Sequence, residues 1–144
     1  MLRIAHRFAV LAAVLGLVAG CSKPEAKKIQ LSGKVTFNGK LVPAGYISFI
    51  PDASKGNKGE ARVVQIKDGV YDSSTEQNPG LYPGPTDVLI AGFDGKPLHL
   101  YPQGKQIFNA HEQRHTVEAG TATKNFEVPA SAAENLKIYP TADR

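Results

Sequence analysis

Cysteine is nearly missing from this chain: one of its 144 residues is Cys, at position 21. No intramolecular disulfide is available, so the fold rests on its apolar core. There is no Trp, and the one Met is residue 1. A strong excess of charge is missing too. The formal net charge is +4, but Arg3 and Arg7 lie in the first seven residues, and without them fifteen basic residues face thirteen acidic ones. No basic run is interleaved with aromatics, so the clustered charge that a nucleic-acid surface needs is absent and no nucleic-acid partner is expected. Beyond residue 20 there is no long helical pattern, and no internal repeat. Nor is there a G-x-S-x-G elbow to present a nucleophilic serine.

The first twenty residues have three parts. Residues 1–7 carry two Arg and one His, residues 8–19 are apolar but for Gly16, and small residues follow up to Gly20. A run of about twelve apolar residues is too short to span a bilayer, which takes about twenty. It suits a helical secretory signal peptide over residues 1–20. The V-A-G-C run ending at Cys21 resembles the lipobox of bacterial lipoproteins. That resemblance implies cleavage between Gly20 and Cys21 and lipid attachment to Cys21. The sole cysteine stands at the one place a lipobox requires it. Two or three acyl chains, at about 0.8 kcal/mol per buried CH₂, anchor a protein stably where one does not. Ser22 follows rather than Asp, which by resemblance to Gram-negative sorting rules favours the outer membrane. Residues 21–28 then read as a lipidated cysteine and a polar tether, with Lys23, Lys27 and Lys28 able to face anionic headgroups.

The mature chain reads as one all-β domain over residues 29–138, with residues 139–144 as a tail. Fourteen Gly and ten Pro suit strands joined by tight turns rather than helices. Ile29, Leu31, Val35 and Phe37 alternate with polar residues, the period of a half-buried strand. Asn38-Gly39 and Asp68-Gly69 are hairpin signals, because these residues tolerate φ > 0. Strands are expected over residues 46–50, 60–67, 70–72 and 86–93. Asp94-Gly95 predicts another turn. Residues 98–108 are ambiguous, holding one or two short strands broken by Pro102 and Gly104. Residues 113–118 and 124–128 look like a final hairpin with Val117, Phe126 and Val128 facing in. A helical turn is expected over residues 131–135 and a short edge strand over residues 136–138.

Three segments together resemble the carboxypeptidase regulatory-like domains. They are S-G-K-V-T-F-N-G-K-L-V-P-A-G-Y-I-S-F-I-P, then K-D-G-V-Y, then Y-P-G-P-T-D-V-L-I. Gly33, Gly39, Gly45, Asp68, Gly69, Pro83 and Gly84 match that pattern. Leu41 departs from its usual Pro and Thr86 from its usual Tyr. The resemblance covers residues 29–128 and implies a transthyretin-like, Ig-like Greek-key β-sandwich of about seven strands. It implies an accessory or binding module, with no catalysis and no cofactor. The C-terminus also lacks the Tyr-Arg-Gly-Ser ending of transthyretin-related hydrolases.

The sharpest chemical motif is His111-Glu112-Gln113-Arg114-His115, an H-E-x-x-H match. On a helix, His111 and His115 would share a face and bind Zn²⁺, with Glu112 as general base. This gives the alternative function, a zinc-dependent hydrolase. Its flanks suit strands better, and in a strand the two His lie about 13 Å apart. Asp52, Asn57, Asp68, Asp72 and Asp94 supply oxygen ligands for Ca²⁺, but without D-x-D-x-D-G spacing. Tyr82 and Tyr101, each followed by Pro in a loop, are the candidate binding residues, since loop aromatics stack on sugars or on partner proteins. The expectation is a lipid-anchored module of the bacterial cell envelope, facing the periplasm or the exterior. Its expected partners are the membrane and an envelope protein or polysaccharide.

Overall fold

The computed structural model describes residues 27–75, 80–120 and 123–136. The leader, Gly20, Cys21, the tether up to residue 26 and the tail lie outside the described residues. The domain is all-β, as the turn-rich, period-two sequence predicts. Its strands are β1 (Ser32–Phe37), β2 (Lys40–Leu41), β3 (Ala44–Pro51), β4 (Arg62–Lys67), β5 (Val70–Asp72), β6 (Gly84–Phe93), β7 (His111–Val117) and β8 (Phe126–Val128). One 3-10 turn, Ala53–Lys55, follows β3, and another, Ala130–Ala133, stands where a helical turn was expected.

The turn chemistry is visible in the backbone. Asn38 (φ 48°) and Gly39 (φ 74°), and likewise Asp68 (φ 50°) and Gly69 (φ 77°), are left-handed pairs, the geometry of type I′ hairpins. Asp94-Gly95 is different: only Gly95 is left-handed, and the chain leaves the sheet there instead of returning directly.

The strands form a curled antiparallel sheet in the order β1-β5-β4-β3-β6-β7. β1 belongs to two layers. Its first half pairs with β5, and its second half pairs with β2 and β8 in a short facing sheet. The predicted hairpin between residues 113–118 and 124–128 does not form. β7 pairs with β6, whereas β8 crosses to β1 and runs parallel to it, Val35 opposite Phe126 and Phe37 opposite Val128. The crossing lets Phe126 and Val128 close the core as a lid over the sheet.

Cross-strand rows build that core. Val64, Ile47 and Ile90 form one inward row, and Ile66, Gly45 and Gly92 the next. The two glycines leave the second row hollow on one side, and Phe108 and Val42 fill it. A methyl group on Gly92 would land on the Phe108 ring and 3.0 Å from Val42. Phe49, Tyr71 and Phe126 are in mutual ring contact at 5.8–6.1 Å between centroids. Tyr71 is buried, and its hydroxyl donates to the Lys124 carbonyl at 2.7 Å, which ties the approach to β8 onto the main sheet. Burial pushes the Tyr71 phenol pKa well up.

Residues 98–108 form no strand. Residues 98–107 belong to an arm over residues 93–107 held by isolated bridges, Phe93 with Gln106 and Leu98 with Tyr101, and Phe108 enters the core. Leu136 is not in a strand, and the rest of the expected edge strand at residues 136–138 lies outside the described residues.

Candidate functional site

β6 is ten residues long, about 30 Å at a strand's rise, and it sets the two ends of the molecule. At its start lie Leu81, Tyr82, the loop over residues 52–61 and the point where the chain comes in from the tether, because Ile29 and Leu81 exchange backbone bonds of 2.8 and 2.7 Å. At its far end lie the Asn38-Gly39 and Asp68-Gly69 turns and the arm over residues 93–107. Tyr82 and Tyr101 are therefore at opposite ends and make no common site.

Tyr82 is engaged at the near end. Lys28 Nζ lies 5.0 Å from its ring centroid, a cation–π distance. Gly59 packs on the ring so closely that an added methyl would meet it at 2.6 Å. The ring thus clamps the incoming chain to the domain. Beside it, residues Gly56 to Glu60 with Tyr82 and Pro83 line an open depression of about 380 Å³. Asn57, buried in that wall, serves its own loop: its amide donates to the Pro85 carbonyl at 3.0 Å, and its side-chain carbonyl accepts from the Gly59 N–H at 3.2 Å.

The arm at the far end is built differently. Asp94 is its pin. Its carboxylate accepts from the Lys96 N–H at 3.0 Å and the Lys105 N–H at 2.9 Å, and these bonds hold its pKa below the ordinary range. Gly104 brings its backbone against that carboxylate, where a side chain would collide with Asp94 Oδ1. Leu98 and Tyr101 exchange backbone bonds of 3.0 and 2.9 Å, leaving His99-Leu100 as a two-residue tip. Large apolar side chains face outward there beside the exposed His99: Leu100 is 76% exposed and Tyr101 51%, with Leu98 beside them. The backbone is fixed while large apolar side chains face solvent, which is how a preorganised binding surface is built. Sequence reasoning singled out Tyr101 but not Leu98 and Leu100, which stand beside it. The sign available to it was three large apolar residues within four positions between Pro97 and Pro102, with no strand period to bury them.

The H-E-x-x-H reading is corrected by the backbone. Residues 111–115 are strand, not helix. His111 stands opposite Ile90 at one end of the ladder and His115 opposite Thr86, four residues along, so at about 13 Å apart they cannot chelate one ion. The pattern predicted by the flanks wins because alternate residues of β7 face the core: Val117 is buried, while Glu112, Arg114 and Thr116 face out. His115 instead packs edge-on against Phe126, 5.8 Å between centroids. Among the described residues no group of three His, Cys, Asp or Glu side chains is placed to hold a metal. Asp52 likewise serves its own loop, accepting from the Ser54 N–H at 3.0 Å and pairing with Lys55 at 3.0 Å; the Ser54 hydroxyl and Lys55 draw its pKa down to about 2. Asp52, Lys55, Asp87, Arg114 and His115 line a shallow depression of about 280 Å³ in which each carboxylate already faces a cation.

Neither a family model nor a curated protein matches the chain. Among solved structures it is similar to a DUF3823 family protein from Parabacteroides merdae, at 19% identity and a TM-score of 0.42. The similarity covers 72% of this chain and 47% of that one, so the chain spans less than half the length of that protein.

Proposed function

We propose that the protein is a lipid-anchored, non-catalytic module of the bacterial cell envelope that presents its arm tip to an envelope protein. The observation that carries this reading is the polarity of the fold. The chain comes in at the Leu81-Tyr82 end, and the exposed Leu98, Leu100 and Tyr101 stand at the other end of β6. A chain held to a membrane through Cys21 would point that tip away from the surface. The V-A-G-C run and the Lys-bearing tether support the anchor, and Ser22 supports an outer-membrane address. The motif resemblance supports a place beside the carboxypeptidase regulatory-like modules, whose role is accessory. The apolar, aromatic tip favours a protein over a polysaccharide, because interface anchors are large and apolar.

Two measurements test the reading together. Labelling of cells with a palmitate analogue should mark the native chain and not the Cys21→Ala variant; equal labelling overturns the anchor. A photo-crosslinking residue at position 100 should capture a discrete envelope protein, while the same probe at Val63, exposed on the outer sheet face, should not. Capture of glycan at position 100 would replace the partner class, and equal capture at both positions overturns the tip as the binding surface.

A further inference from the structure

β7 is an edge. Among the described residues it pairs with β6 alone, so one side of a seven-residue strand offers its backbone groups to solvent. Pairing with another strand is the natural use of such an edge. The charge order along β7 identifies the strand that fits. Glu112 and Arg114 both face outward, two residues apart, with Gln113 between them on the inward side. Arg114 leans toward Asp87 on β6, 3.7 Å away. Glu112 stands opposite Leu89 and has no ion-pair partner among the described residues.

We infer that β7 pairs antiparallel with β7 of a second copy of this chain, about a twofold axis through Gln113. In an extended sheet with a twofold axis, residues face their equivalents in registers of two, so that outward side chains meet outward side chains. Centred on Gln113, Glu112 of each copy meets Arg114 of the other, twice over. His111 and His115 then face each other across the joint on the inward side. Sliding one step brings Glu112 against Glu112, and sliding the other way brings Arg114 against Arg114, both repulsive. One register is therefore complementary and its two neighbours are not. That register also completes a line of alternating charge, Asp87 to Arg114 to the second copy's Glu112 and back by symmetry. Charged side chains on an edge also serve as guards against pairing; what sets these apart is that their order repels the neighbouring registers and matches this one. The inference goes beyond the proposed partner at the arm tip and uses a different surface. Antiparallel pairing reverses the second copy end for end, so the two arm tips stand at opposite ends of the joined sheet.

The test is crosslinking of the full chain in cell envelopes. Gln113→Cys places two cysteines across the axis, where facing Cβ atoms lie about 4.5–5.5 Å apart. A short bismaleimide should link this variant as a dimer above the background of the parent chain, which carries Cys21 alone. Val63→Cys, exposed on β4, should not rise above that background. Glu112→Arg should lower the linked fraction about tenfold, since both cross-axis pairs become repulsive. Glu112→Arg combined with Arg114→Glu should restore it. Both side chains are solvent-facing, so these variants keep the fold, which circular dichroism of the same preparations checks. Linkage of Gln113→Cys no greater than that of Val63→Cys overturns the inference, and so does failure of the double reversal to restore it. Neither result depends on the lipid anchor or on the arm tip.

Discussion

His115 carries the clearest pH signature of any single side chain described. It is half-buried against Phe126, and burial lowers its pKa below 6.5; Lys124 pushes in the same direction, while Glu118 opposes them. The sign follows from linkage. A histidine whose folded-state pKa is depressed is protonated more readily in the unfolded chain, so stability is present above the unfolded value and is lost as pH falls from there through the folded value. Thermal melts should therefore show a fall in Tm as pH drops below 6.5. In His115→Gln that segment of the profile should flatten, whatever the variant's absolute stability. A parallel acid limb in both proteins would show that another group sets it. The carboxylates act in the same direction at lower pH. Asp52, Asp72 and Asp94 have depressed pKa values held by hydrogen bonds from neighbouring Ser or backbone N–H groups, so their contribution is lost only as pH falls below 3.8.

Among the elements, β8 is the shortest to carry a large share of the core. Three residues long, it places Phe126 in contact with Phe49, Tyr71 and His115, and Val128 at zero exposure. Phe126→Ala should cost about 3–5 kcal/mol, a large part of the 5–15 kcal/mol expected of a small domain. Chemical denaturation should show a collapsed midpoint, with Phe126→Leu intermediate; a shift of less than about 1 kcal/mol would mean that β8 is not a structural lid. This element also marks where the sequence stops being legible. β1, β3, β4, β5 and β6 were readable because alternation and Asn-Gly or Asp-Gly turns are local signals. The inward faces of Val117, Phe126 and Val128 were readable for the same reason. The partner of β8 was not, because residues 118–125 are as suitable for a hairpin as for a crossing. The choice is made by the open half of β1, some ninety residues earlier in the chain. The arm over residues 93–107 was opaque for a second reason: isolated bridges, the Asp94 carboxylate and the neighbouring buried ring of Phe108 hold it in place of a ladder. The H-E-x-x-H motif misled only when taken as letters; its flanks already carried the strand period.

At the scale of the whole molecule, stability and presentation are assigned to different places. The inward rows, β8 and the Tyr82 clamp hold the sandwich together, while at the tip the Leu100 and Tyr101 side chains are more exposed than buried. Fully exposed side chains away from caps and ion pairs usually shift stability by less than about 0.5 kcal/mol when replaced. Leu100→Asp together with Tyr101→Ser should therefore leave the denaturation midpoint nearly unchanged, because both residues are more exposed than buried and the arm's backbone is pinned by Asp94 rather than by the tip. The same variant should lose any partner that a probe placed elsewhere on the arm captures from the native chain, since a charge at the centre of an apolar contact is left desolvated and unpaired. Asp94→Ala makes the opposite comparison. It keeps every apolar tip residue but removes the two side-chain bonds that reinforce the arm's backbone bonds, so it should weaken capture by restoring conformational entropy that binding must then remove. If both variants bind as the native chain does, the exposed leucines are incidental and the binding surface lies elsewhere on the sandwich. If the tip variant alone fails, contact matters and preorganisation does not. Failure of both is the outcome expected of a module whose rigid scaffold exists to hold one loop in place.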